Sequence, residues 1–73
     1  MKNRMKELRK QQRYSQAELA KMTNVTRQTI IAIENDKYDP SLKLAFCLAK
    51  VLHTTVDQLF LPVEEGYENW KGT

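Results

Sequence analysis

The sequence predicts an all-α domain of five short helices. Three observations carry that prediction: apolar residues recur at helical spacing in five stretches, a serine or threonine able to cap a helix stands before four of them, and no strand-type run competes within residues 1–60. At 73 residues the chain is one domain. A domain this small buries only about 60% of the surface its unfolded chain exposes. We place the domain at residues 1–61 and a separate tail at residues 62–73.

In NRMKELRKQQR, residues 3–13, Met5 and Leu8 share one face with Met1, and Lys2, Arg4, Lys6, Lys10 and Arg13 surround the rest, so the first helix packs through one stripe. Ser15 and Glu18 then form a capping-box pattern, in which serine oxygen and glutamate carboxylate each accept from a free backbone N–H. The second helix follows from Gln16 to Thr23, with Ala17, Leu19, Ala20 and Met22 or Thr23 inward. Thr26 caps the third, RQTIIAIEN, whose Ile30 and Ile33 face inward while Arg27, Gln28, Ile31 and Asn35 share the opposite face. Asp39-Pro40 stops any continuation, because a residue before proline is driven from the α region, and Ser41 caps LKLAFCLAKVL. Leu42, Ala45, Phe46, Leu48, Ala49 and Leu52 make this fourth helix the central core helix. Thr55 and Gln58 repeat the capping box, Val56, Leu59 and Phe60 supply the buried side of a fifth helix, and Leu61-Pro62 ends it.

Charged residues at 29% and hydrophobic ones at 41% suit a globular protein. No apolar run approaches the ~20 residues of a membrane span. Met1 leads into a charged, amphipathic segment where a signal peptide would be apolar, so we expect a cytoplasmic protein without membrane contact. The single cysteine, Cys47, has no disulfide partner, and with one histidine the chain offers no zinc set; in LAFCLAKVL the thiol reads as core. The net charge of +3 conceals an asymmetry: residues 1–60 hold 11 Lys/Arg against 6 Asp/Glu, or +5, whereas the tail carries −2. A basic body suits a polyanionic partner. In the tail, VEEGYENWKGT, the residues Val63, Tyr67 and Trp70 are too few for a core and too aromatic for a plain linker. Packing against the body, contact with a second subunit and fraying all stay open for it.

The second and third helices are separated by about three residues, which matches the corner of a helix-turn-helix, whose second helix enters the DNA major groove. Many helical proteins contain such corners, and the outer face of the third helix says more. An ordinary exposed face mixes Lys and Glu, whereas this one offers Arg27, Gln28, Thr29 and Ile31, with no acid before Glu34. Arginine pairs bidentately with guanine and glutamine with adenine, and Ile31 suits a thymine methyl. Around these, Gln16 at the start of the second helix, the Thr26 cap, and Asn35, Lys37 and Tyr38 beyond the third suit the sugar-phosphate backbone.

The stretch SQAELAKMTNVTRQTIIAIENDKYDPSL resembles the signature of the phage-repressor-like (Cro/cI, Xre-type) helix-turn-helix family, and the similarity covers residues 3–60. The resemblance implies a five-helix, lambda-repressor-like fold that commonly dimerises on palindromic operators. By position it makes Gln16 a phosphate contact, Arg27 and Gln28 the base-reading pair, Asn35 and Lys37 phosphate contacts after the reading helix, and Arg9 with Glu34 an ion pair linking the first and third helices. Two departures follow from it. The family tends to place glycine after each of the first four helices, where this chain has Arg13, Asn24, Asp36 and His53, both of its glycines lying in the tail. Asn, Asp and His are enriched at positive φ; Arg13 is not of that kind, and there we expect the first helix to end differently. Thr23 stands where the family usually has an anchoring leucine, a loss of about 1–3 kcal/mol of burial unless Met22 turns in.

We therefore expect a sequence-specific regulator of transcription that binds double-stranded DNA. It would be a homodimeric repressor on a palindromic operator, with T/A-containing half-sites that include at least one G·C pair. The alternative, from another class, is an antitoxin-like or anti-regulator module that holds a protein partner through the tail. Neither requires a cofactor, a metal or a small-molecule effector. An enzyme is disfavoured, since no glycine loop cradles phosphate and neither Cys47 nor His53 has a catalytic partner suggested by spacing.

Overall fold

The computed structural model describes residues 2–61. Its elements follow in the order β1 (Lys2–Asn3), α1 (Met5–Gln11), α2 (Gln16–Met22), α3 (Arg27–Glu34), α4 (Leu42–Val51), α5 (Val56–Leu59) and β2 (Phe60–Leu61). The five helices stand as the sequence predicts, with one addition. Met1 and the tail residues Val63, Tyr67 and Trp70 lie outside the described residues.

The addition corrects both the strand-free reading of residues 1–60 and the start of the first helix at Asn3. Lys2 pairs with Leu61 and Asn3 with Phe60 in an antiparallel ribbon. Arg4 N–H donates to the Leu59 carbonyl at 2.8 Å, and the Asn3 Oδ1 accepts from Met5 N–H at 3.0 Å. Backbone donors that a helix leaves unpaired at its start thus find partners, one of them in the last helix of the fold. Strands of two residues carry no alternation to read.

Three caps form as the residue types predict. Ser15 Oγ accepts from Glu18 N–H at 3.0 Å while Glu18 Oε1 accepts from Ser15 N–H at 2.8 Å. Thr26 accepts from Thr29 N–H at 3.2 Å and Ser41 from Leu44 N–H at 3.1 Å. Each such cap contributes about 1 kcal/mol. The box at Thr55 and Gln58 does not form: Thr55 makes no side-chain cap bond, and Gln58 Oε1 accepts instead from the Thr54 hydroxyl at 3.4 Å.

At the other ends, Arg13, Asn24, Asp36 and His53 all take positive φ, at 63°, 60°, 60° and 58°. In each turn the positive-φ amide donates to the carbonyl three residues back and the following amide to the carbonyl five back, as in Arg13 to Lys10 (3.0 Å) and Tyr14 to Arg9 (3.1 Å). This Schellman pattern satisfies carbonyls that a helix end otherwise leaves free. α1 therefore ends as the other three helices do, contrary to the expectation for Arg13. A left-handed conformation costs a residue with a Cβ about 1–2 kcal/mol.

Every helix lends side chains to one core: Met5, Leu19, Ile30, Ile33, Leu48, Leu52 and Leu59 are fully buried. On α4 the buried stripe is Ala45, Leu48, Ala49 and Leu52, at i, i+3, i+4 and i+7. Phe46 and Leu42, four apart on one side of that stripe, are exposed, and Cys47 is only half-buried, so three residues assigned to the core lie partly or largely outside it. On α2 the same spacing turns Gln16, Leu19, Ala20 and Thr23 toward the body and leaves Ala17 exposed. Met22 does not turn in; Thr23 itself is buried, its hydroxyl donating to the Leu19 carbonyl at 2.8 Å. That bond satisfies a group whose burial unpaired is costly.

Candidate nucleic-acid interface

α2 and α3 meet through Thr23–Thr26, with Asn24 supplying the left-handed residue and half-buried Val25 packed against the core. The Thr26 cap fixes where α3 begins, and so places Arg27 and Gln28 in its first turn, both exposed. Thr29 is half-buried, its hydroxyl 3.1 Å from that of Thr26. Ile31 is half-buried as well, where the outer-face reading had it exposed. Asn35, Lys37 and Tyr38 follow the helix and are exposed.

Behind the first turn of α3 runs a line of hydrogen bonds through three helices. Arg9 of α1 donates twice to Glu34 of α3, from Nε to Oε2 at 2.7 Å and from Nη2 to Oε1 at 3.4 Å. Its Nη1 donates to the Tyr14 carbonyl at 2.9 Å. The same Glu34 Oε1 accepts from Gln16 Nε2 at 3.2 Å, and Gln16 Oε1 accepts from Arg27 Nη2 at 3.4 Å. The Arg9 and Glu34 side chains are 9% and 2% exposed. A buried ion pair of this kind is strongly destabilising to break, because either partner alone is an uncompensated charge in the interior. Gln16, Ala17 and Arg27 line, with Arg9 and Ser15, a concave notch of about 460 Å³ between the starts of α2 and α3.

The charge pattern follows from that line. Glu34 is the one acid of α3, and it is turned inward against a guanidinium. The outer surface of the helix therefore carries one cation, Arg27, and no anion. Elsewhere Arg4, the residue before α1, and Glu7 in its first turn pair at 3.0 Å at the surface, which holds the Glu7 carboxyl below its ordinary value through the hydrogen bond first and the charge second.

The structure thus brings Gln16 and Arg27 together at one end of α3 and Thr26 and Thr29 together at its cap. Asn35, Lys37 and Tyr38 gather past the other end. Two contributors went unread in the sequence. The Tyr14 carbonyl holds Arg9, and Asn3 Nδ2 donates to the Ile33 carbonyl at 2.8 Å and to Asp36 Oδ1 at 3.3 Å, clamping the end of α3. Neither has a local signal: one is a backbone group, and the other acts across 30 residues of chain. Among the described residues no cluster of three His, Cys, Asp or Glu side chains is placed to hold a metal, and no helix is long and apolar enough to cross a membrane.

Residues 5–59 match the pattern of a protein family described as helix-turn-helix. An uncharacterised HTH-type transcriptional regulator of Methanocaldococcus jannaschii is 51% identical over 61 residues, which cover 84% of this chain and 92% of that one. Another, from Bacillus subtilis, is 45% identical over 66 residues, covering 90% and 100%. Among solved structures, the DNA-binding domain of the P22 C2 repressor matches with a TM-score of 0.71 at 30% identity, over 74% of this chain and 71% of that one. The five-helix fold and the family resemblance of residues 3–60 agree with these matches.

Proposed function

The chain belongs to the Cro/cI (Xre-type) helix-turn-helix family of transcriptional regulators, and from that premise we propose that it is a binding protein, not an enzyme, which reads DNA with α3 in the major groove and represses as a homodimer. One observation carries the reading: the only acid of α3 is buried and neutralised, so Arg27 and Gln28 face outward with no anion on the helix beside them. An anionic surface there would be repelled by the phosphates flanking the groove.

In this pose Arg27 donates to O6 and N7 of a guanine, Gln28 pairs with an adenine, and Thr29 and the uncovered part of Ile31 offer methyl groups to thymine. Gln16 and Thr26 at one end, and Asn35, Lys37 and Tyr38 at the other, take phosphates and fix the register. The reading involves no cofactor and no small-molecule effector, and it places the protein in the cytoplasm.

A palindromic operator needs two copies, with reading helices one DNA turn, about 34 Å, apart. The second copy would cover the open side of α4, where Leu42 is 70% and Phe46 59% exposed. A groove of about 290 Å³ lined by Asp39, Pro40, Leu42, Ala45, Val56 and Phe60 adjoins them, directly after Lys37 and Tyr38 in the chain. The likeness to the P22 C2 repressor domain supports repression as the outcome of binding.

Enrichment from a random duplex pool tests the DNA reading: a palindrome with half-sites one turn apart is the expected product, and no enrichment of any sequence overturns it. Sedimentation tests the dimer. Phe46→Lys should give a folded monomer, and a dimer that persists in this variant and in Leu42→Lys would remove α4 as the interface.

A further inference from the structure

We propose that residues 62–73, the acidic segment of this chain that follows β2, lie along a basic stripe on the outer side of α1 and shield it from nucleic acid.

The stripe consists of cations without counter-charges. Lys6 and Lys10 stand one helical turn apart on the exposed side of α1, and exposed Arg13 follows in the turn that ends it. None of the three makes a side-chain hydrogen bond or ion pair among the described residues. Like charges four apart on a helix destabilise it, so an anion laid over Lys6 and Lys10 stabilises the helix that carries them. The body has few anions to offer. Of the six acids in residues 1–60, Glu7 is bound by Arg4, Glu18 by the Ser15 amide, Glu34 by Arg9 and Asp36 by Asn3. The tail brings three more, Glu64, Glu65 and Glu68, against a single lysine.

The fold delivers those glutamates to the stripe. Leu61 is paired with Lys2, so the tail starts beside the strand that leads into α1, and Pro62 has no N–H with which to extend the ribbon. At about 3.3 Å per extended residue the glutamates lie up to roughly 10–23 Å of chain beyond Leu61, whereas α1 is only about 10 Å long. Tyr67 and Trp70 suit the same surface, since an aromatic face attracts an ammonium or guanidinium and packs on its aliphatic stem. The apolar groove beside Phe60 is also within reach, but the one charged residue lining it is an acid, Asp39. Arg13 stands three residues before Gln16, so the stripe continues the surface proposed for DNA. Sequence-independent attraction to a duplex rises with each cation presented to it, and the tail withholds these. The shielding rests on the DNA reading; the contact itself does not.

Trp70 is the one tryptophan of the chain and reports on the tail alone. Its emission is recorded against salt in the full chain, for wild type and for Lys6→Gln/Lys10→Gln, both sites being exposed. In wild type the emission should shift to the red as salt rises and should not change on dilution; in the double variant it should start red and stay there. Equal emission and equal salt response in the two proteins would overturn the contact. So would a blue, salt-insensitive Trp70, which places the tail in the groove, or a red shift on dilution, which places it on a second copy. For the shielding, Glu64→Gln/Glu65→Gln/Glu68→Gln is titrated with a scrambled duplex. It should bind several-fold tighter than wild type at low salt and no tighter at high salt, and most of the gain should vanish in the Lys6→Gln/Lys10→Gln background. No gain, or an equal gain in both backgrounds, overturns the shielding. If wild type binds no duplex, it is the DNA reading that fails, and Trp70 still decides the contact.

Discussion

At the start of α3, Arg27 is bonded to Gln16 and Thr29 shares its hydroxyl with Thr26, whereas past the end of the helix Asn35, Lys37 and Tyr38 extend into solvent with no side-chain hydrogen bond or ion pair among the described residues. The backbone at that second end is held all the same, by the Asp36 turn and by Asn3 on the Ile33 carbonyl. The difference suits the task proposed for each end. A base edge is read by hydrogen bonds of fixed direction, which reward side chains already in place. A phosphate is attracted through charge over a broader range of geometry, and a mobile lysine on a fixed backbone suffices.

The largest expected effect comes from the anchor of the ordered end. Glu34→Ala leaves the Arg9 guanidinium buried and unpaired and should cost about 3–5 kcal/mol in urea unfolding, enough to unfold much of so small a domain. Arg13→Gly acts on the turn that delivers the Tyr14 carbonyl to Arg9, and it should raise stability by about 1 kcal/mol while leaving DNA selectivity unchanged. A loss of stability there would mean that the arginine side chain contributes more than its strained backbone costs. Asn24→Gly, in the turn that leads into α3, should leave the melting temperature unchanged or raise it by the equivalent of at most about 1 kcal/mol. Smallest is Glu7→Gln. Because the Glu7 carboxyl is held below its ordinary value of 4.5, its contribution is present above that value and is lost as pH falls through the lowered one. Both partners are exposed, so the variant's melting curve at neutral pH should overlay that of wild type.

Much of this was legible in the residues. The Ser15, Thr26 and Ser41 caps are local signals that need no tertiary partner, and they placed three of the five helices to within a residue or two. The turn residues Asn24, Asp36 and His53 were equally legible, because a small or polar side chain at positive φ is a property of residue type. Arg13 was not: its turn is imposed by the core that α1 and the next helix share, against the residue's own preference. The ribbon of Lys2–Asn3 with Phe60–Leu61 joins the two ends of the domain and leaves no periodic trace. Leu42 and Phe46 were misassigned because periodicity shows that a face is apolar, not that another element covers it. For the interface, the residue types at Arg27, Gln28 and Lys37 were readable one by one. The link from Glu34 through Gln16 to Arg27 was not, since it spans 18 residues between Gln16 and Glu34 and 11 between Gln16 and Arg27.

The claim that the two ends of α3 do different work is tested most directly by the salt dependence of binding to the enriched duplex and to a scrambled one, measured for Arg27→Ala and Lys37→Ala. Arg27→Ala should bring the two affinities together, a loss of about 1–3 kcal/mol of discrimination. Lys37→Ala should weaken both duplexes equally and lower the slope of log affinity against log salt by about 0.9, the share of one phosphate contact. Equal losses of selectivity in the two variants, with the same change of slope, would contradict it.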